Sequence, residues 1–478
     1  MTLTVLLGAA VVGDAWYLNG QIGRIGVHNL SGSAPAGTEN ILVAGSTNRC
    51  GLKVHSAVFG SCSAHPGVNS DVVMIVHLDA KHHTVSLLSI PRDLFVPNAR
   101  STGVGKIDAA LAEGPSQLVD VIQQDFAIPI NHYVEVNFDG FQGVVNALGG
   151  IKMYFPEPLY DGNSGLDIRS PGCVSLDGFR ALEVVRARHL QYRPPTMTSS
   201  NHALWPHDPE SDLSRIRRDH EFLRVLASAV AGKGLSDPIS DQSLISSLAP
   251  QVRVDSAMSL HHMIDLVLAF HGVNAGAAPQ FTMPVSVLNS LSYEYRGANY
   301  GSVEFPDQIT DQQVVSQFLG TAAGADTMTG NALPDPSAIT VTVHNGSGGH
   351  NQAATTTAAL TSLGFVASNQ GTLTPTGPLT ETVVFYATPA AQAAAEQVAH
   401  ALTGSVVLAK GPTDPGAAVT VVTGTDLGVS VPAATGAAGP TTTRTTVAIP
   451  RVGPPTPAAT PLAPFDPRSC NPDGTAGP

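Results

Sequence analysis

Three short runs of apolar, largely β-branched residues, at 40–44, 72–76 and 85–90, are each bounded by Gly, Asn, Asp or Pro, and they constrain the fold more than anything else in the chain. Runs too short for a stable helix and apolar on both faces read as buried strands. Between and after them, apolar residues recur three and four apart at 107–111, 117–126 and 138–148, the last closed by Gly149 and Gly150. Further strand-like runs stand at 133–136 and 151–155, with helix-like stretches at 176–188 and 212–231, the latter opened by Ser211 or Asp212 as a cap. Strands interleaved with helices predict an α/β sandwich.

The chain has 478 residues, enough for two or three domains. Residues 2–18 are apolar apart from Asp14 but have no basic residue before them, so they read as the outer part of a membrane segment spanning residues 1–25; a buried helix is the alternative. A Gly/Ser/Pro linker at 26–37 precedes the first unit, 38–232, and residues 192–210 predict a mobile loop within it. Residues 233–319 extend that unit, and residues 320–337 form a second linker. A small α/β sandwich follows at 338–427: strands at 339–344, 382–386 and 418–422, helices at 352–363 and 390–402. The Pro/Thr/Ala-rich tail, 428–478, predicts disorder.

The net charge of −13 gives no general field for nucleic acid, so an anionic partner needs a local basic cluster. No Cys-x-x-Cys pair and no His at finger spacing is present, which argues against a structural zinc of that kind. Cys50 and Cys62 could close a loop worth about 2–3 kcal/mol, or all four cysteines could be buried thiols. Arginine is concentrated: Arg180, Arg186, Arg188, Arg193, Arg215, Arg217, Arg218 and Arg224 fall in one short region. Such guanidinium spacings suit a phosphate clamp, although charge runs more often form a solvated face. Arg92 and Asp93, directly after an apolar strand, favour the clamp, because α/β sheets place their sites at such strand ends.

Several motifs stand in order: residues 40–46 (NILVAGS), Ser70-Asp71, residues 86–93 (SLLSIPRD), 106–110 (KIDAA), 139–150 (DGFQGVVNALGG), 176–189 (LDGFRALEVVRARH) and 212–219 (DLSRIRRD). This set resembles the LytR-CpsA-Psr family, membrane-anchored extracytoplasmic enzymes that move a glycan-1-phosphate from a polyprenyl-pyrophosphate carrier to peptidoglycan or a related wall polymer. Residues 341–348, 363–366 and 423–426 resemble the LytR C-terminal domain found on actinobacterial members. The resemblance implies a central mixed sheet flanked by helices, a single-pass anchor with the folded domains outside the cell membrane, and an arabinogalactan-like acceptor as one alternative to peptidoglycan.

It further implies Mg²⁺, with Mn²⁺ as a substitute, on Asp71, and pyrophosphate contacts from Arg92, Arg186, Arg188 and Arg215, extended to Lys106 and Arg218. Asp212 would orient Arg215 or activate the acceptor hydroxyl, unless it is simply a helix cap. A lipid tunnel would draw its walls from among Val72, Met74, Val76, Phe126, Phe141, Val144, Val145 and Leu148. Export implies a Cys50–Cys62 disulfide, with no pairing implied for Cys173 and Cys470. The chain departs from the pattern at Thr47, where the family has Asp, at Asn69, where it has Arg, and at Asp219, where it has Gln. These departures admit a second reading, a non-catalytic polyprenyl-phosphate-binding protein. A transcriptional role finds no helix-turn-helix and no basic surface.

Overall fold

The computed structural model describes residues 20–32, 37–50, 52, 59–64, 67–210, 212–232, 246–247, 249–269, 278–287, 292–322, 324–373, 380–429 and 462–477. The three apolar runs are neighbouring strands, Thr38–Ser46, Ser70–Asp79 and Thr84–Ile90, at the centre of a seven-stranded mixed sheet. His132–Val136 lies parallel to Thr38–Ser46, while Ser70–Asp79 runs antiparallel to both of its neighbours. The flanks are built by segments far away in sequence: Arg253–Asp255 with Gly23–Ile25 on one side, Gln280–Thr282 on the other.

Several boundaries are thereby corrected. Residues 23–25, read as the end of a membrane segment, form an edge strand, while residues 233–319, read as an extension of the first unit, contribute two strands to its central sheet. The first part of the 26–37 linker is pinned to the helix Pro115–Asp125, where the Asn29 amide donates to Asp120 at 3.1 Å and the Ser31 hydroxyl to Gln123 at 2.5 Å. The stretch 2–18 lies outside the described residues, and among the described residues no helix is long and apolar enough to cross a membrane.

The two faces of the sheet are covered unequally. Leu42, Ala44, Val73, Ile75, Leu88 and Ile90 alternate along their strands and are almost wholly buried in a core shared with the helices Pro115–Asp125 and Gln308–Leu319. Burial of this kind stabilises by about 25 cal/mol per Å² of apolar surface. The intervening residues Ile41, Val43, Val72, Val76 and Leu87 face the other way and are only half-buried. The helix Asp212–Gly232 lies over that second face, where its His220 Nε2 is 2.7 Å from the Ser89 hydroxyl.

The helices Phe138–Ala147 and Gly178–Arg186 cross closely enough that a Cβ at position 178 would overlap the Gln142 backbone, so glycine is required there. Leu176, read as helical, instead ends the strand Gly172–Leu176. The 192–210 loop is pinned rather than mobile: Trp205 is buried, its indole donates to the Ser199 carbonyl at 3.0 Å, and His202 stacks on Tyr160 at 3.9 Å.

The second unit is a five-stranded sheet ordered Val366–Thr372, Thr340–Asn345, Val419–Thr423, Thr382–Tyr386, Val406–Lys410, with the helices Gln352–Ser362 and Gln392–His400. It docks on the first unit: the Tyr386 hydroxyl donates to the Gln124 carbonyl at 3.1 Å, and Gln392 Nε2 to the Gln123 carbonyl at 2.6 Å. Thr327, in the stretch read as a linker, is buried in that contact and donates to the Ala127 carbonyl at 2.5 Å.

The end of the tail, read as disordered, is structured. Residues 462–477 return to the first unit, where Arg468–Ser469 adds a strand beside Ile151–Phe155. Phe465 stacks on Tyr192 at 4.2 Å, and Cys470 is disulfide-bonded to Cys173. Cys50 and Cys62 form the second disulfide, with Cα atoms 4.8 Å apart.

Candidate active site

The antiparallel pairing of Ser70–Asp79 with Thr84–Ile90 sets Val73 opposite Ile90, so Asp71, near the start of one strand, and Arg92, just past the end of the other, share one sheet edge. Arg92 Nη1 donates to Asp71 Oδ1. Asp93 is the second anchor: it accepts from Lys106 Nζ at 2.7 Å and from Arg188 Nη2 at 2.9 Å. Asp93 lies within the sequence motif but was not assigned a role; its signal is the charged pair that follows the apolar strand.

Burial alone would raise the Asp71 carboxyl, yet the guanidinium groups of Arg92, Arg215, Arg186 and Arg188 outweigh it and hold it below the usual carboxylate range. Burial likewise raises Asp93, and Arg92, Lys106 and Arg188 together hold it low. Both are therefore anions embedded in a surplus of positive charge. Arg186, at the end of its helix, rests over the rings of Phe59 and Phe138 at 5.1 and 5.0 Å. Its Nη1 is buried without a hydrogen-bond partner among the described residues, an orphaned cationic donor that an anion would satisfy.

Phe59 belongs to the loop closed by Cys50–Cys62 and packs on Phe138 at 5.7 Å and Phe179 at 4.9 Å. Arg49, immediately before that loop, donates to the Phe59 carbonyl at 2.6 Å and to the Thr47 carbonyl at 3.2 Å. The sequence reading assigned neither residue a role, because no periodicity or motif marks a disulfide-bound loop as the floor beneath a distant arginine.

Thr47 and Asn69, the departures from the family pattern, bond to each other. The Thr47 hydroxyl accepts from Asn69 N at 2.9 Å, and Thr47 N donates to the Asn69 carbonyl at 2.9 Å. Asn69 Nδ2 donates to Asp108 Oδ2 at 3.1 Å. Asp108 is the one carboxyl of the site that is pushed up, to about 6, chiefly by burial; Arg92 opposes this and the nearby Asp93 and Asp71 add to it. It stands in the motif 106–110 but was not singled out, because its environment depends on contacts distant in sequence.

The structure divides the arginine cluster in two. Arg186, Arg188 and Arg215 gather with Arg92 around Asp71, Arg215 being buried and 3.9 Å from Asp219. Arg218 does not join them: its guanidinium is 1% exposed, held by Asp208 at 2.9 Å and Asp466 at 3.5 Å, so it is unavailable to substrate. Arg217 bonds Asp466 at 2.8 Å and Arg224 bonds Glu221 at 2.7 Å, both on the docked tail's side of the helix. Asp212 begins that helix, its side chain lying outside the described residues, as does Ser211.

Of the candidate tunnel residues, Val145, Leu148 and Met74 are fully buried, whereas Val72, Val76, Phe126, Phe141 and Val144 are half-buried. Val72 and Val76 belong to the incompletely covered face of the sheet. Arginines, a lysine, three carboxyls and an adjoining apolar surface suit a ligand with a phosphorylated head and a hydrocarbon chain.

The LytR_cpsA_psr family profile matches residues 21–304, and the profile described as the LytR cell envelope-related transcriptional attenuator matches residues 338–427. The chain is 32% identical over 240 residues to a probable cell wall biosynthesis protein, LcpB, of Corynebacterium glutamicum, covering 50% of this chain and 53% of that protein. It is 38% identical over 132 residues to the polyisoprenyl-teichoic acid–peptidoglycan teichoic acid transferase TagV of Bacillus subtilis, covering 26% of this chain and 34% of that protein. The matches thus span about half and a third of those relatives. Among solved structures, the LytR-Csp2A-Psr enzyme from Actinomyces oris superposes with a TM-score of 0.46 at 22% identity, covering 59% of this chain and 91% of that one.

Proposed function

The chain belongs to the LytR-CpsA-Psr family, and from that premise we propose that it is an extracytoplasmic phosphotransferase moving a glycan-1-phosphate from a polyprenyl-pyrophosphate carrier to a hydroxyl of peptidoglycan or a related wall polymer such as arabinogalactan. The observation that carries this reading is the gathering of Arg92, Arg186, Arg188 and Arg215 around Asp71, with the orphaned Arg186 Nη1 among them. Anchoring through the apolar residues 2–18 at the membrane belongs to the same proposal.

In the reaction, the acceptor oxygen bonds to the phosphorus that bears the glycan, the bond from that phosphorus to the bridging oxygen breaks, and polyprenyl phosphate departs. Charge grows on the leaving oxygen, and prepositioned guanidiniums stabilise it without reorganising. Asp93 holds Arg188 and Lys106 in place, while Phe59 and Phe138 support Arg186. Asp108, the carboxyl closest to neutrality, takes the proton of the acceptor hydroxyl. The polyprenyl chain would lie along the half-covered apolar face near Val72 and Val76.

The residues fit Mg²⁺, or Mn²⁺ in its place, only together with substrate: Asp71 is one carboxylate among several cations, and the Thr47 hydroxyl already accepts from Asn69. A metal held by Asp71 and pyrophosphate oxygens would neutralise leaving-group charge.

Transfer to a peptidoglycan fragment from a short-chain carrier, measured by mass spectrometry, tests the proposal. Turnover abolished by Asp108→Asn with carrier binding retained supports it. The second reading, binding without turnover, rests on Thr47, which gives the site one acid fewer than the family pattern. Tight carrier binding without transfer in the native chain, with transfer gained in Thr47→Asp, would establish that reading instead.

A further inference from the structure

A second constellation of ligating groups lies at the other end of the central sheet. Glu39, near the start of Thr38–Ser46, pairs with Leu78, whereas Ser46 at its far end pairs with Ser70 beside Asp71. Seven residue steps along the strand separate the two ends, roughly 20 Å or more. His132 opens the adjacent parallel strand, and His262 stands in the helix Leu260–Ala269. Glu39 Oε1 is 2.9 Å from His132 Nε2 and 2.8 Å from His262 Nε2, and the three atoms all lie within 4.8 Å of one another.

We propose that Glu39, His132 and His262 form a binding site for a divalent transition metal of the zinc class, with the fourth position open to solvent. The donor set is two imidazole nitrogens and one carboxylate oxygen, which suits zinc and its neighbours and disfavours Mg²⁺, an ion of all-oxygen sites. Tetrahedral zinc with bonds of about 2.0–2.1 Å sets its ligand atoms about 3.3 Å apart. The present separations from Glu39 need to widen by only a few tenths of an ångström. His262 is 37% exposed, which leaves that side open for a water or an exogenous ligand.

An outer layer for the site is already in place. His132 Nδ1 is 2.9 Å from Asp255 Oδ2, and a carboxylate on the far nitrogen of a histidine fixes the tautomer and ring orientation that a metal needs. Asp255 is fully buried, and its carboxylate accepts from the backbone N–H groups of Tyr133 at 3.0 Å, Ala257 at 2.8 Å and Met258 at 2.9 Å. The ligands come from positions 39, 132 and 262, so no spacing motif could reveal them, and the argument against a finger-type zinc does not reach this site. A bound metal would tie the helix Leu260–Ala269 to two strands of the sheet. It would replace the protons that now join the three side chains, so binding strengthens as pH rises.

The test uses the tag-free full chain, stripped with a chelator and titrated with Zn²⁺ by calorimetry, with Co²⁺ absorption as a report on coordination. One equivalent should bind, undisplaced by millimolar Mg²⁺. His262→Ala should weaken binding at least 10²-fold and remove the tetrahedral Co²⁺ bands, with the fold checked by circular dichroism. Asp255→Asn should weaken it by 10–100-fold. His261→Ala, at the 87% exposed neighbour, should leave it unchanged. Absence of stoichiometric binding would overturn the proposal, as would equal effects of His261→Ala and His262→Ala.

Discussion

Replacing Asp466 by Asn isolates the part played by the returning tail. Asp466 is fully buried between Arg217 Nε, at 2.8 Å, and Arg218 Nη1, at 3.5 Å, while the Ala463 N–H donates to it at 2.8 Å. Asn keeps the shape and one carbonyl acceptor but removes the charge that two buried guanidiniums face. Breaking a buried ion pair outright costs about 3–5 kcal/mol. Here Arg218 retains Asp208 at 2.9 Å, Arg217 retains Glu210, and the Arg218–Asp466 contact is already long. The loss therefore reduces mainly to one charge-assisted hydrogen bond with its desolvation penalty, about 3 kcal/mol. That is roughly a hundredfold in the folding equilibrium of the first unit.

Urea, which leaves ion pairs unscreened, is the denaturant to use, and Trp205 the reporter. Trp205 is buried three residues before Asp208, and Trp16 is the only other tryptophan, so a Trp16→Phe background gives a single local signal. A shift below about 0.5 kcal/mol, or one that disappears in high salt, would refute the reasoning, because a pair this deeply buried is screened little.

Arg186→Ala should weaken binding of a short polyprenyl pyrophosphate by about 1.5–3 kcal/mol in calorimetry, since it removes the orphaned donor; Arg218→Ala should instead lower the unfolding midpoint. Asp108→Asn should stabilise the fold by about 3 kcal/mol at pH 8 and by almost nothing at pH 3.5. A carboxyl raised from 3.8 to about 6 favours the folded state most when protonated, and that contribution is lost as pH rises through this window. Urea titrations across pH check this. Burial and the neighbouring Asp326 push Glu396, at the contact between the two units, up to about 8, so docking should weaken from about pH 4.5 to pH 8; Glu396→Gln should flatten that slope in limited proteolysis.

The central sheet was legible because its middle strands carry continuous apolar, largely β-branched runs, even though only one of its faces is fully buried. Gly23–Ile25 and Gln280–Thr282 were not, because three residues carry no period and their strand identity comes from partners distant in sequence. Val366–Thr372 escaped for a different reason: it is a mostly exposed edge strand with the polar sequence VASNQGT. In the site, composition located the arginines but could not sort them. Arg215 and Arg218 sit one turn apart, yet one faces Asp71 and the other is enclosed by Asp208 and Asp466. Asp208 and the Ala187 carbonyl of the first unit hold Arg218, with Asp466 of the tail as a longer contact, and the tail's Pro/Thr/Ala content hid the short ordered segment at its end.

The Cys50–Cys62 loop gives the arginine clamp a chronology. Phe59, between the two cysteines, forms half of the aromatic floor beneath Arg186. With the thiols reduced, the loop would lack its covalent closure, and Phe59 would rest on Phe138 and Phe179 through ring packing and the Arg49 hydrogen bond alone. The support beneath the guanidinium would then be weaker. If the proposed function holds, competence to grip a pyrophosphate would depend on oxidative maturation, and a chain still reduced would carry every residue of the clamp before its floor is covalently closed.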